Sequence, residues 1–149
     1  MKIFTKKLLS GRTFLTDKTV TVENGRITAI TGGGPADFAV DVLTPGLVDL
    51  HCHGGQGFDP SRSCTTSRFL AAMLRCGVTE VLLTLGAELL PVMRRALGVV
   101  KDAMQKQAVG QLPGTRIIGV HLEGRFKPVR PGAMPPAALR IPSSAAIER

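Results

Sequence analysis

From Pro45 onward the chain alternates short apolar runs with stretches of helical periodicity, and this alternation constrains the fold more than any other feature. Gly46–Leu50 is an apolar run that ends in a polar cluster, His51-Cys52-His53-Gly54-Gly55. A helix follows, with Thr65 or Thr66 as its cap, an apolar face of Phe69, Leu70, Met73 and Leu74, and Gly77 as its stop. Val78–Leu85 reads as a second buried strand. The next helix runs from about Glu88 to Ala108, with Pro91 tolerated in its first turn. Its apolar positions Val92, Met93, Ala96, Val100, Ala103 and Met104 recur at helical spacing. Gly110, Pro113 and Gly114 end it, and Arg116–His121 forms a third strand that runs into Glu123 and Gly124. Strands separated by helices need crossover connections, the hallmark of a parallel sheet. Beyond Gly124 the prolines at 128, 131, 135, 136 and 142 exclude long regular structure.

The first 44 residues read differently. Thr19–Glu23 and Arg26–Ile30 favour strand, and Asn24-Gly25 between them is a two-residue hairpin signal. The run Thr31-Gly-Gly-Gly-Pro35 breaks the pattern, and Val40–Leu43 returns as a strand. The expected organisation is therefore a small N-terminal β segment over 1–44 and an α/β region over 45–149. A sheet as small as the first rarely stands alone.

Composition narrows the partners. The chain has 149 residues, 44% of them hydrophobic, enough for a core, and a net charge of +8. That charge suits nucleic acid, anionic lipid or a phosphorylated metabolite. Its Lys and Arg residues are scattered, however, and the absence of Trp and Tyr argues against a base-stacking surface. Nucleic acid is not expected as a partner. No segment approaches the roughly 18 apolar residues that span a bilayer, and the basic N-terminus lacks the apolar core of a signal peptide. Three cysteines, Cys52, Cys64 and Cys76, cannot all pair within one chain. The odd count suits a reducing compartment, and the cytoplasm is the expected location.

The chemistry-bearing residues are His51-x-His53 after one strand and Glu123 after another. In an extended chain residues i and i+2 point the same way, so two imidazoles so placed can bind one ion side by side. Parallel α/β folds gather their active residues at the C-terminal ends of strands, and both features sit at such ends. An HxH pair alone often occurs by chance, and a lone Glu is more often a solvated carboxylate. Their combination at two strand ends, flanked by glycine-rich turns, outweighs the bland reading. His121, two residues before Glu123, could face the same side. Histidine and carboxylate donors suit Zn²⁺, Fe²⁺ or Mn²⁺, as one ion or two.

The segment Thr44-Pro-Gly-Leu-Val-Asp-Leu-His-Cys-His53 resembles the PG-hydrophobic-hydrophobic-D-x-H-x-H signature of the amidohydrolase superfamily. His53-Gly-Gly-Gln-Gly-Phe-Asp59, Cys76-Gly-Val-Thr79 and Gly119-Val-His-Leu-Glu-Gly124 are similar to runs of the N-acetylglucosamine-6-phosphate deacetylases within it. Gly132-Ala133 with Pro135-Pro136 resembles that family's G-A-H-x-P loop. The resemblance covers nearly the whole chain. It implies a partial (β/α)8 barrel, about the first three βα units, preceded by half of a small β-sandwich. It also implies His51, His53 and Glu123 as ligands of a divalent metal, Ala133 and Met134 near the substrate, and a phosphorylated amino sugar as the substrate of the complete enzyme. The reaction implied is hydrolysis of the acetamide to glucosamine 6-phosphate and acetate.

The departures from that pattern are specific. Arg125 stands where the family has proline, Met134 where it has a substrate-contacting histidine, and Leu83 near a common proline. The loop from Phe126 to Gly132 is about one residue short of the family's. A full barrel takes about 250 residues, so the family's remaining histidine ligands and its catalytic aspartate would lie beyond Arg149. The expectation is a chain with no identifiable acid/base residue, little activity alone, and an open sheet edge that promotes self-association. Two other readings stay open: a different amidohydrolase acting on cyclic amides, and a noncatalytic module that binds metal or a partner.

Overall fold

The computed structural model describes residues 1–55, 57–59, 66–124, 126 and 136–139. The chain divides into two compact units, Met1–Pro45 and Gly46–Arg149.

The first unit is a four-stranded sheet of β1 (Lys2–Ser10), β2 (Thr13–Glu23), β3 (Arg26–Gly32) and β4 (Phe38–Leu43), in the order β3-β2-β1-β4. β1, β2 and β3 are antiparallel neighbours, whereas β4 lies parallel to β1. The hairpin signal holds: Asn24 and Gly25 take φ of 50° and 74°. Positive φ at both central positions matches the right-handed twist of the flanking strands, and Asn and Gly adopt it at least cost. Thr5, Leu8, Thr19 and Val20 are buried, while Phe14, Ile27, Ile30, Phe38, Val40 and Val42 remain exposed.

The second unit is a parallel sheet of β5 (Leu47–Cys52), β6 (Val78–Leu85) and β7 (Arg116–Leu122), ordered β5-β6-β7. Two helices make the crossovers, α1 (Thr66–Arg75) and α2 (Leu90–Ala108), so the region is α/β as the alternation requires. Phe69 and Leu70 of α1, Val100 and Ala103 of α2, Val81 and Leu83 of β6, Ile117 of β7 and Cys52 of β5 form one buried cluster. Because Val81 and Leu83 share a face of β6, both helices cover that same face. The opposite face of β6 carries Glu80, Leu82 and Thr84.

Two details of the helices differ from the sequence pattern. Leu74 is exposed, because the buried side of α1 is made by Thr66, Phe69, Leu70 and Ala72 with Met73 packed against it. The second helix starts at Leu90 rather than near Glu88, its first bond running from Met93 N–H to the Leu89 carbonyl. Pro91 has no N–H to give, so the helix has to begin within a residue or two of it. Of the apolar positions assigned to its inner face, Val92 lies at the exposed margin. Thr65, one of the two candidate caps of α1, lies outside the described residues, and Thr66 is the first helical residue. Among the described residues no helix is long and apolar enough to cross a membrane.

Leu70 is completely buried, and its carbonyl also accepts the Thr115 N–H, 3.2 Å away, which ties α1 to the entry of β7. L70A should therefore lower unfolding free energy by about 2–5 kcal/mol in urea titrations. A loss below about 1 kcal/mol would contradict the packing of α1 on this sheet.

Candidate metal centre

The parallel ladder shifts register at three places, one between Leu47 and Val48 at the start of β5 and two that aim the candidate ligands. On β5 the register shifts between Asp49, opposite Val81, and Cys52, opposite Leu83, so the strand carries one extra residue there. On β7 it shifts between Ile117, opposite Val81, and Gly119, opposite Leu82. Bulges of this kind re-aim side chains and are common beside active sites. After them, Cys52 and Val120 pair with Leu83 and face the helices, and His121 pairs with Thr84 on the other face. His51 and His53, flanking Cys52, are thereby directed away from the helices.

The result brings His51, His53 and Glu123 together, their donor atoms all within 4.8 Å of one another. His51 Nε2 and His53 Nε2 are 3.1 Å apart. Glu123 Oε1 lies 3.8 Å from His51 Nε2, and Oε2 lies 3.8 Å from His53 Nε2. Ligands about 2.05 Å from a tetrahedral ion stand roughly 3.3 Å apart; the histidine pair is close to that spacing, and the carboxylate faces each imidazole through a different oxygen. Two imidazole nitrogens at 3.1 Å need either one N–H between them or a cation in front of both lone pairs. The histidines are about half exposed and Glu123 about a quarter, so the site is open on one side.

Local chemistry holds each ligand in place. The His51 N–H donates to Asp49 Oδ1 at 3.0 Å. The Cys52 N–H donates to Thr84 Oγ1 at 3.1 Å. The Glu123 N–H donates to the Leu85 carbonyl at 3.0 Å, extending the ladder past the end of β7. After His53, Gly55 and Phe58 exchange main-chain hydrogen bonds in a tight turn, and the Phe58 ring stacks on Phe69 at 4.3 Å. Gly54 sits at φ +102°, and a Cβ there would meet the Phe58 carbonyl at 2.3 Å, so only glycine permits this close approach.

His121 lies on the same face as the ligands, its ring centroid 4.8 Å from that of His51, but Nδ1 points to Thr84 Oγ1 at 3.4 Å. It is a neighbour of the cluster rather than a member of it. Burial raises the pKa of the Cys52 thiol above its ordinary range, which keeps it protonated near neutrality, and it faces the core rather than the histidines. Ala133 and Met134, assigned to the substrate loop, lie outside the described residues, as does Arg125. Asp49 and Thr84 are the supporting residues that motif reading left unassigned. Asp49 sits inside the motif itself, and Thr84 is a polar residue near the end of an otherwise apolar strand.

No protein-family model matches the chain. Among curated proteins it is 33% identical over 138 residues to the N-acetylglucosamine-6-phosphate deacetylase of Vibrio furnissii, covering 81% of this chain and 32% of that protein. It is 30% identical over 143 residues to the N-acetylgalactosamine-6-phosphate deacetylase of Escherichia coli O157:H7, covering 91% of this chain and 36% of that one. Among solved structures it matches a substituted N-acetyl-D-glucosamine-6-phosphate deacetylase from Mycobacterium smegmatis in complex with N-acetyl-D-glucosamine-6-phosphate. That match has a TM-score of 0.80 and 29% identity over 99% of this chain and 39% of that one. The chain spans about a third of the length of the curated relatives it matches. Its sequence and its fold alike make it a relative of the N-acetylglucosamine-6-phosphate deacetylases.

Proposed function

We propose that this chain is the metal-binding opening portion of a deacetylase acting on the acetamide of a phosphorylated amino sugar, with N-acetylglucosamine 6-phosphate as the favoured substrate. The observation that carries the reading is the convergence of His51, His53 and Glu123 at the C-terminal ends of β5 and β7. Relatives named for the N-acetylglucosamine and N-acetylgalactosamine phosphates both match, so the acetamide and the phosphate are better supported than the configuration of the sugar ring. In this reading the three βα-type strands are the start of a (β/α)8 barrel, and residues 1–44 are half of a small β-sandwich. His51, His53 and Glu123 hold a divalent ion, Zn²⁺, Fe²⁺ or Mn²⁺, and Ala133 and Met134 belong to the substrate loop.

A divalent ion held there supplies a Lewis acid for the acetamide carbonyl and lowers the pKa of water. The chain's own contribution is positional. His51 and His53 offer neutral imidazole nitrogens from one strand, Glu123 offers a carboxylate that neutralises part of the ion's charge, and the half-exposed side leaves room for substrate. Hydrolysis also requires a group that takes a proton from water and returns one to the leaving amine. Among the described residues, the cluster holds a single carboxylate, Glu123, which would be taken up by a bound metal. The chain by itself is therefore expected to have little or no deacetylase activity, and to work, if at all, with further polypeptide.

Zn²⁺ or Co²⁺ titration of the purified chain should give saturable binding. H51A, H53A and E123Q should each weaken it by more than the roughly 10–100-fold that loss of a supporting group costs. Binding that survives all three substitutions would overturn the ligand assignment. Acetate release from N-acetylglucosamine 6-phosphate by the 149-residue chain, with metal added, should stay at background. Sustained turnover that E123Q abolishes would show instead that the chain is catalytically sufficient.

A further inference from the structure

The central strand β6 holds the two halves of the metal cluster through consecutive residues. Leu85 accepts the Glu123 N–H through its main-chain carbonyl, 3.0 Å away. Thr84 accepts the Cys52 N–H through its side chain, 3.1 Å away. The second contact lies where the β5–β6 ladder is out of register, between the Asp49–Val81 and Cys52–Leu83 pairs. A hydroxyl there does the work of the missing main-chain acceptor. Cys52 is the residue between His51 and His53, so the peptide that Thr84 holds fixes where both imidazoles start. The side chain is well placed for this: Thr84 is 1% exposed, although it lies on the face of β6 away from the helices.

The same hydroxyl has a second contact. Its oxygen accepts from the Cys52 N–H and also stands 3.4 Å from His121 Nδ1. Thr84 thus contacts both the peptide between two of the histidines and the ring of the third, which stands 4.8 Å from that of His51.

We propose that Thr84 is a positioning residue of the metal centre. It sets the separation between the His51–His53 pair on β5 and Glu123 on β7. The assignment rests on the metal-binding reading of the cluster and adds a group that touches neither metal nor substrate. Supporting hydrogen bonds to ligands typically matter 10–100-fold for affinity. Here the support passes through the main chain between the ligands rather than through their rings.

The test compares T84V, which keeps the shape and loses the hydroxyl, with T84S, which keeps the hydroxyl. Zn²⁺ affinity is measured by competition with a chromophoric chelator, and the absorption spectrum is recorded at saturating Co²⁺. T84S should stay within about twofold of wild type, whereas T84V should bind about 10-fold more weakly. T84V should also show a changed spectrum at saturation, which reports ligand geometry rather than the amount of folded protein. T84V with wild-type affinity and spectrum would overturn the assignment even if its melting temperature falls. Should T84V not fold, two readouts decide: T84S affinity, and hydrogen exchange of the wild-type Cys52 amide. A Cys52 amide that exchanges as fast as that of His53, or a T84S chain that binds 10-fold more weakly, would overturn it. A wild-type chain that binds neither ion removes the metal reading and this assignment with it. A wild-type chain that binds, matched by T84V, removes this assignment alone.

Discussion

The main chain of β6 is the constraint on which the second unit depends. As the middle strand it pairs with β5 on one side and β7 on the other. It gives Val81 and Leu83 to the core beneath α1 and α2 and presents Thr84 on the opposite face. A parallel ladder has no short hairpin to set its register. The alignment of the three strands therefore depends on which apolar side chains reach the core, and on the few groups that close the ladder at its ends. Thr84 and Leu85 are those groups at the C-terminal end. At the opposite end, Thr115 Oγ1 donates to the Val78 carbonyl at 2.6 Å, and the Gln107 side chain holds both the Thr115 carbonyl and the Ile117 N–H.

The site depends on two of the three register shifts in that ladder. A strict two-residue alternation along β7 would carry Ile117, Gly119 and His121 to one face, placing His121 and Glu123 beneath the helices. The extra residue at Ile118 inverts the parity, so that Val120 joins the core and His121 faces the ligands. The extra residue on β5 allows Asp49 and Cys52 each to align with the core face while His51 turns away. Each irregularity leaves main-chain groups that must find partners elsewhere. Asp49 and Thr84 are such partners for His51 and Cys52. The support of the site and the satisfaction of the broken ladder are one set of hydrogen bonds.

The histidine nitrogens stand 3.1 Å apart and the Glu123 carboxylate faces both, one oxygen 3.8 Å from each, with all three groups offering a donor within 4.8 Å. That arrangement explains why glycine flanks the site. A side chain at Gly54 would collide with the turn that anchors the segment after His53 on Phe69. The structural relatives extend well past this chain's length.

Much of this was legible in the sequence. Val78–Leu85 needed no tertiary information, because an apolar run bounded by glycine and a helical repeat has no better state than a buried strand. The hairpin at Asn24-Gly25 followed from the positive φ that a two-residue turn demands. The pairing of His51 with His53 followed from the two-residue period, and the motifs around Glu123 brought it to the same end of the sheet. The exposed Leu74 and the start of α2 at Leu90 were not legible, since a periodic pattern does not say where a buried face stops. Nor were the two bulges, which leave no mark in hydropathy because one extra residue in a strand changes no residue's character. The sequence by itself determined the alternation of strand and helix from Pro45 onward and the candidate donors, but not β1 (Lys2–Ser10) or the first half of β2, whose mixed polar residues carry no clear period. The tertiary structure alone decided that the three donors meet and that Thr84 stands between them, because register is set by packing across strands far apart in the chain.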